Sequence, residues 1–233
     1  MIWTLTGFMG CGKTSAGRLA ATLRAARQAP GAFSPAATLR AGGPRLQEFA
    51  SLTPPSLRDG PPASVPRVAR PSDGGLPPCL PPMQFADLDE EIEIREGRSV
   101  REIFASDGEA GFRAIEMRTL ESLLREPDVD STVLLIALGG GTLTDAGSRE
   151  LVRRHTKCIY LRASAETLAA HLREAGTDGR PLLALKQGET LEGRIRSMLS
   201  ARSAIYESCA DAVADIDGLG IEEIANIIND IIK

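Results

Sequence analysis

The chain has 233 residues, of which 42% are hydrophobic and 25% are charged, and its formal net charge is −4. This composition is that of a soluble globular protein, and the acidic balance argues against a general binder of nucleic acid or membrane surfaces. No apolar stretch approaches the roughly 20 residues that a bilayer span requires, and the first apolar run begins at Ile2 with no signal segment before it. We therefore expect a cytoplasmic monomer without nucleic-acid or membrane partners.

A glycine-rich segment follows the first apolar run of the chain. Residues 7–14 read GFMGCGKT, which fits the pattern G-x-x-x-x-G-K-[ST], and a helix-prone stretch comes next. A strand that turns through glycines into a helix directs backbone N–H groups and the positive end of the helix dipole at one point. The pattern predicts a nucleoside triphosphate site, with Lys13 on the outer phosphates and the Thr14 hydroxyl as a Mg²⁺ ligand. The residues expected to contact the nucleotide here are Gly10, Cys11, Gly12, Lys13, Thr14 and Ser15.

A proline-rich stretch interrupts the chain from about Arg24 to Met83. It contains thirteen of the fifteen prolines, together with seven arginines, no lysine and three acidic residues. Proline at this density prevents continuous helix or strand pairing, and the apolar area is too small to offset the entropy of ordering. We therefore predict a single domain over residues 1–233, interrupted by a disordered insertion at residues 24–83. The composition also resembles translated non-coding DNA, such as a retained intron, and a docking arm for a partner is the remaining alternative.

Strand and helix patterns alternate after this stretch. The segment MQFADLD is typical of a strand that ends in acids, and residues 99–102 form a capping box that opens a short helix. A longer helix is predicted from about Glu109 to before Pro127. The acids Asp87 and Asp89 are two apart, so on a strand both side chains project to the same side, towards the crevice beside the phosphate loop. A solvated acidic turn is the alternative.

The C-terminal half continues the alternation. Residues 133–138 (VLLIAL) form a continuous apolar run, which is typical of a strand buried on both faces, and residues 158–161 form another strand before the helix ETLAAHLREA. Isoleucines at positions 221, 224, 227, 228 and 231 have helical spacing, which indicates a helix packed on the core. The alternation predicts an α/β fold with a parallel sheet and right-handed crossovers. Glycines 139–141 exceed what a turn requires and suggest a surface shaped for a flat ligand.

Six motifs, in this order, resemble those of the shikimate kinase family. They are GFMGCGKT, FADLDEEIE, SDGEAGFRAIE, LGGG, GRPLL and ARSAIY, and the resemblance covers essentially everything outside residues 24–83. It implies the P-loop NTPase fold of nucleoside-monophosphate-kinase-like proteins, with a five-stranded parallel sheet flanked by helices and a mobile lid. It also implies transfer of the ATP γ-phosphate to the 3-hydroxyl of shikimate, with Mg²⁺ as cofactor, on the way to chorismate and the aromatic amino acids.

The resemblance implies roles for residues on the substrate side. Asp89 would hold the reacting hydroxyls and accept the proton, and Arg113 and Arg202 would clamp the substrate carboxylate. The backbone of Gly140 and Gly141 would form the surface under the shikimate ring. Planar guanidinium groups suit a planar carboxylate, which agrees with this assignment.

The resemblance also implies roles on the nucleotide side. Asp87 would reach Mg²⁺ through water, and Arg180 would be the lid arginine that closes over the phosphates. Arg173 would lie near the adenine, an assignment that rests on its spacing to Arg180. Together with Lys13, Arg180 would bring positive charge to the transferred phosphoryl group, which is the main requirement of this chemistry.

Three alternatives stay open at this point. The chain would otherwise be a P-loop kinase for another small polyol acid, such as gluconate, or a non-catalytic nucleotide-binding relative whose insertion serves as a docking arm. At the level of single residues, Arg113 and Glu116 are three apart on one helix, so they are also compatible with a plain surface ion pair.

Overall fold

The computed structural model describes residues 1–28, 81–125, 132–175, 183 and 188–233. These belong to one compact unit, formed by Met1–Ala29 and Leu80–Lys233. Within the described ranges no helix combines the length and the apolar character that crossing a membrane requires. Most of the predicted insertion, and the predicted lid residue Arg180, lie outside the described residues.

Five parallel strands form one sheet in the order β2-β3-β1-β4-β5. The first strand of the chain lies at its centre and pairs with β3 on one side and β4 on the other. The strands are β1 (Ile2–Thr6), β2 (Met83–Asp87), β3 (Val133–Ala137), β4 (Lys157–Arg162) and β5 (Ala212–Asp215). The predicted five-stranded parallel sheet is thereby confirmed.

Helices cover both faces of the sheet. In the described part of the chain they are α1 (Lys13–Gln28), α2 (Leu88–Glu96), α3 (Val100–Arg125), α4 (Ala146–His155), α5 (Ala165–Ala175), α6 (Leu191–Cys209) and α7 (Ile221–Ile231). Neighbouring residues of a strand point to opposite faces, so Leu135 and Ile136 of β3 are buried in two separate cores. This double burial explains why β3 is apolar throughout.

The capping box and the two helices that the sequence predicts after β2 are present in the structure. The backbone N–H of Ser99 donates to Glu102 Oε2 at 2.8 Å, and the N–H of Glu102 donates back to Ser99 Oγ at 3.2 Å, which is a capping box. α3 is broken at Gly108, whose φ of 70° and ψ of −177° are not helical. The predicted short helix and the longer helix after it are both confirmed, and the break lies where the longer one was predicted to begin.

The predicted bounds of the insertion are wrong at both ends. α1 continues to Gln28, and β2 already begins at Met83, so residues 24–28 and Met83 belong to the domain. The reason is local: the stretch LRAARQ favours helix, and the first proline after it is Pro30.

Arg24, which the insertion was predicted to include, is a buried residue of α1. Its Nε donates to the Pro81 carbonyl at 2.8 Å and its Nη2 donates to the Ile232 carbonyl at 3.1 Å. Burial, with a contribution from the charge of Arg27, lowers the pKa of the Arg24 guanidinium. The side chain therefore joins the end of α1 to the residues before β2 and to the end of α7.

We expect Arg24→Ala to lower the free energy of unfolding by about 2 kcal/mol, because two carbonyls lose their donor at a largely buried position. Chemical denaturation measures this change. Arg27→Ala, on the exposed side of the same helix, is the matched control and should change the free energy by less than about 0.5 kcal/mol. Equal stability of the two variants would contradict the role of Arg24.

Candidate active site

The carboxyl ends of the strands open onto a crevice of about 660 Å³. Parallel strands bring their carboxyl ends to one edge of the sheet, so the residues that follow β1, β2 and β3 meet there. The lining residues come from the segment after each of these three strands, from α5 and from the start of α7. Predicted site residues in the lining are Gly10, Gly12, Lys13, Thr14, Ser15, Asp87, Asp89 and Gly140.

The phosphate loop, residues 7–14, occupies one end of the crevice. α1 begins at Lys13, so the positive end of its dipole opens towards the crevice. The Lys13 side chain is almost fully buried, and its Nζ donates to the carbonyls of Gly7 at 2.9 Å and Phe8 at 3.1 Å. The side chains of Cys11 and Phe8 are both buried in the core, and neither lines the crevice.

Thr14 and Asp87 provide a pair of oxygen ligands beside Lys13. Thr14 Oγ1 donates to Asp87 Oδ2 at 2.5 Å. Hydroxyl and carboxylate oxygens suit Mg²⁺, which takes one or two protein ligands and completes its shell with phosphate oxygens and water. Among the described residues no group of three or more His, Cys, Asp or Glu side chains would hold a metal by itself.

The prediction that Asp87 and Asp89 lie on one strand is wrong. β2 ends at Asp87, and Asp89 belongs to the first turn of α2. Asp87 is the N-cap of that helix, and its Oδ1 accepts from the N–H groups of Asp89 at 3.0 Å and Glu90 at 3.3 Å. A capping acid followed by further acids in the first turn favours a helix start, which outweighs strand continuation. Both carboxylates nevertheless line the crevice.

The Asp89 carboxyl lies in an environment that favours its protonated form. The side chain is only partly exposed to the crevice and is enclosed by protein on its other sides. This burial, together with the carboxylates of Asp87 and Glu116, raises the pKa of Asp89 to about 7, against the opposing charges of Lys13 and Arg113. A carboxyl group with a pKa near neutrality is well suited to accept a proton from a substrate.

Arg113 is held by a carboxylate that the sequence did not identify as a site residue. Its Nη1 pairs with Glu116 Oε2 at 2.6 Å, and Glu116 is fully buried. The other oxygen of Glu116 accepts from Thr142 Oγ1 at 2.5 Å, in the short 3₁₀ turn (Thr142–Thr144) after the glycines. The i,i+3 pair therefore exists, but it is a buried link and not a surface ion pair.

The three glycines allow this approach. A Cβ added to Gly141 would overlap the guanidinium of Arg113, so any other residue there would require that side chain to shift. From the other side, Arg202 of α6 donates from Nη1 to the Gly140 carbonyl at 3.1 Å, and the Tyr206 hydroxyl donates to the same oxygen at 2.5 Å. The two arginines thus converge on one short backbone segment from two different helices.

Sequence reasoning missed the wall formed by α5 and α7. His171 and Glu174 of α5 line the crevice, and their i,i+3 spacing was a signal that could have shown a shared face. Ile221 also lines the crevice and is 38% exposed, so its assignment to the core was wrong. Arg173 is exposed on α5 and is not part of the lining, and its adenine contact stays a prediction.

Comparisons with known proteins give one consistent result. The model of the shikimate kinase family matches residues 82–233. The shikimate kinase of Chlorobaculum tepidum is 39% identical over 154 residues, covering 62% of this chain and 76% of the relative. That of Streptomyces avermitilis is 36% identical over 149 residues, covering 64% of this chain and 80% of the relative.

Solved structures agree at the level of the fold. The shikimate kinase of Acinetobacter baumannii in complex with shikimate superposes with a TM-score of 0.65 at 22% identity, covering 99% of this chain and 92% of the other. The enzyme of Bacteroides thetaiotaomicron gives 0.63 at 22% identity, covering 99% and 97%. The phosphate loop precedes the segment that the family model matches, but β1, which leads into it, pairs with β3 and β4 inside that segment.

Proposed function

The chain belongs to the shikimate kinase family, and on this premise we propose that its crevice transfers the γ-phosphoryl group of ATP to the 3-hydroxyl of shikimate. The protein is accordingly an ATP-dependent phosphotransferase of aromatic amino acid biosynthesis that uses Mg²⁺. One observation carries the proposal: Arg113 and Arg202 converge on Gly140 and Gly141, and Gly140 lines the same crevice as Asp89 and the phosphate loop.

The acceptor is proposed to bind at the glycine segment. Its planar carboxylate would pair with the guanidinium groups of Arg113 and Arg202, each of which offers two parallel N–H donors. The backbone of Gly140 and Gly141 would lie under the ring. Asp89 would accept hydrogen bonds from the ring hydroxyls on the side nearer the phosphate loop.

Phosphoryl transfer then requires one proton transfer and one displacement. Asp89 takes the proton of the 3-hydroxyl while that oxygen attacks the γ-phosphorus, and the bond from this phosphorus to the bridging oxygen breaks to release ADP. Lys13 and the start of α1 offset the negative charge of the phosphates. When bound, Mg²⁺ neutralises phosphate oxygens, and Thr14 and Asp87 are the residues that would hold it, Asp87 through water.

The remaining assignments are proposals from the family. Arg180 would act as the lid arginine and Arg173 as the residue near the adenine. We further propose a cytoplasmic monomer whose partner is the small-molecule substrate shikimate, with no nucleic-acid or membrane partner.

A coupled assay of ADP release tests the proposal. We expect release that depends on shikimate, ATP and Mg²⁺, with gluconate as the control acceptor that leaves the rate at background. Folded protein that releases ADP at the same rate with and without shikimate would overturn the proposal. A response to gluconate alone would favour the related kinase, and no response to any acceptor despite tight ADP binding would favour a non-catalytic relative.

Arg202→Ala is expected to raise the KM for shikimate about 10- to 100-fold, because one charged, hydrogen-bonded contact to the carboxylate is lost. The KM for ATP should stay within about twofold of the unchanged enzyme, since Arg202 contacts the glycine segment and not the phosphate loop. Steady-state kinetics with each substrate varied in turn measure both constants. Arg196→Ala, an exposed arginine of the same helix, is the matched control and should change neither.

A further inference from the structure

His171 contacts the phosphate loop directly. Its Nδ1 lies 3.0 Å from the carbonyl oxygen of Gly10, and the ring also lines the crevice. A carbonyl oxygen can only accept a hydrogen bond, so Nδ1 must carry the proton in this contact. Neither the loop pattern nor the family motifs in the sequence involve this histidine.

Gly10 is enclosed by two consecutive residues of α5. Its φ of +85° is one that glycine adopts readily, and an added Cβ would lie 2.8 Å from Cγ of the fully buried Leu172. Leu172 therefore packs against Gly10 while His171 holds its carbonyl oxygen. The loop backbone has little freedom at this position.

The contact fixes a peptide plane in the middle of the loop. Because a peptide unit is planar, the direction of the Gly10 carbonyl also sets the direction of the Cys11 N–H, which donates to the Phe8 carbonyl at 3.3 Å. Gly12 and Lys13 come directly after this peptide unit in the sequence, and both line the crevice. The His171 side chain thus provides a hydrogen bond between α5 and the phosphate-binding end of the crevice.

We propose that His171 is a positioning residue for the phosphoryl donor, which acts by holding the Gly10 carbonyl and thereby the shape of the phosphate loop. The inference rests on the proposed function, because it takes the triphosphate tail as the ligand of this loop. The inference adds His171, which lies outside the loop, to the residues on which binding of the nucleotide depends.

Three substitutions of His171 distinguish the effect of its hydrogen bond to Gly10 from the effect of its packing. His171→Ala removes the ring, and His171→Leu keeps apolar bulk without a donor. His171→Asn retains an N–H donor close to the position of Nδ1. His155→Ala changes the other histidine, which is exposed at the end of α4, and is the matched control.

Calorimetric titration with ADP and Mg²⁺, without shikimate, is the primary measurement. We expect the Ala and Leu variants to bind ADP about 3- to 10-fold more weakly and to raise the KM for ATP by a similar factor, with the KM for shikimate unchanged. The Asn variant should recover most of the affinity, and His155→Ala should match the unchanged protein.

Two results would overturn the proposal. One is unchanged ADP affinity in folded His171→Ala, and the other is an Asn variant that binds no better than the Leu variant. Because ADP binding is measured without the acceptor, failure of shikimate phosphorylation would count against the proposed function and leave this comparison intact.

Discussion

Asp89→Asn is expected to lower kcat by about 100- to 10,000-fold, because the amide keeps the shape of the carboxyl group but cannot accept the proton of the acceptor hydroxyl. The KM for shikimate should change little, since the amide still hydrogen-bonds to hydroxyl groups. Steady-state kinetics with the coupled assay measure both constants. Glu90→Gln alters the next residue of α2, an exposed partner of Arg18, and should retain full activity. A kcat within threefold of the unchanged enzyme would remove Asp89 from the proposed mechanism.

The same variant should also change the pH dependence of stability in the chelator-treated, nucleotide-free protein. The pKa of Asp89 is raised from 3.8 to about 7 in the folded protein, so between these values the folded state holds the proton more firmly than the unfolded chain. Stability contributed by this group therefore falls as the pH rises through that range. Thermal unfolding should show Asp89→Asn to be more stable than the unchanged protein at pH 8, and the difference should vanish near pH 4. Equal differences at both pH values would contradict the raised pKa.

Lys13→Ala is expected to reduce kcat/KM for ATP by about 100- to 1,000-fold, because a preorganised positive charge at the phosphates is lost. The ammonium group donates to the loop carbonyls of Gly7 and Phe8, and the Lys13 side chain also lines the crevice. Steady-state kinetics and ADP titration measure the loss in turnover and in binding. Lys233→Ala, an exposed lysine paired with Asp230, is the matched control. Loss of activity in both variants would indicate a general effect of removing positive charge.

The phosphate loop, the sheet and most helix starts could be predicted because their signals are local. The loop pattern sits between a strand and a helix, the capping box at Ser99 satisfies backbone groups within four residues, and β3 is apolar over its whole length. Each of these features depends on neighbours in the sequence, so a single chain contains the information. The helical continuation through Arg24 was equally local, and the prolines beyond it obscured that signal.

The rest of the site depends on contacts between distant segments. Glu116 becomes part of the site only because Thr142 and Arg113 meet at its two oxygens. His171 acquires its contact from a loop 161 residues away in the sequence. The strand assignment of Asp89 failed for a different reason, since period-two spacing cannot show where a capping acid ends a strand. Contacts between distant segments, and local preferences that compete with one another, are therefore the features of the site that the sequence alone could not predict.

The central position of β1 has a consequence for synthesis on the ribosome. In β1, Ile2 pairs with Leu134 and Trp3 pairs with Lys157. Because both partner strands are translated more than a hundred residues after β1, this strand stays unpaired during that part of synthesis. At about 5–20 residues per second that delay is on the order of 7 to 30 s. During this time an apolar segment with unpaired backbone groups is open to aggregation or to chaperones. The nascent chain is thus exposed to aggregation for a period that has no counterpart in the folded enzyme.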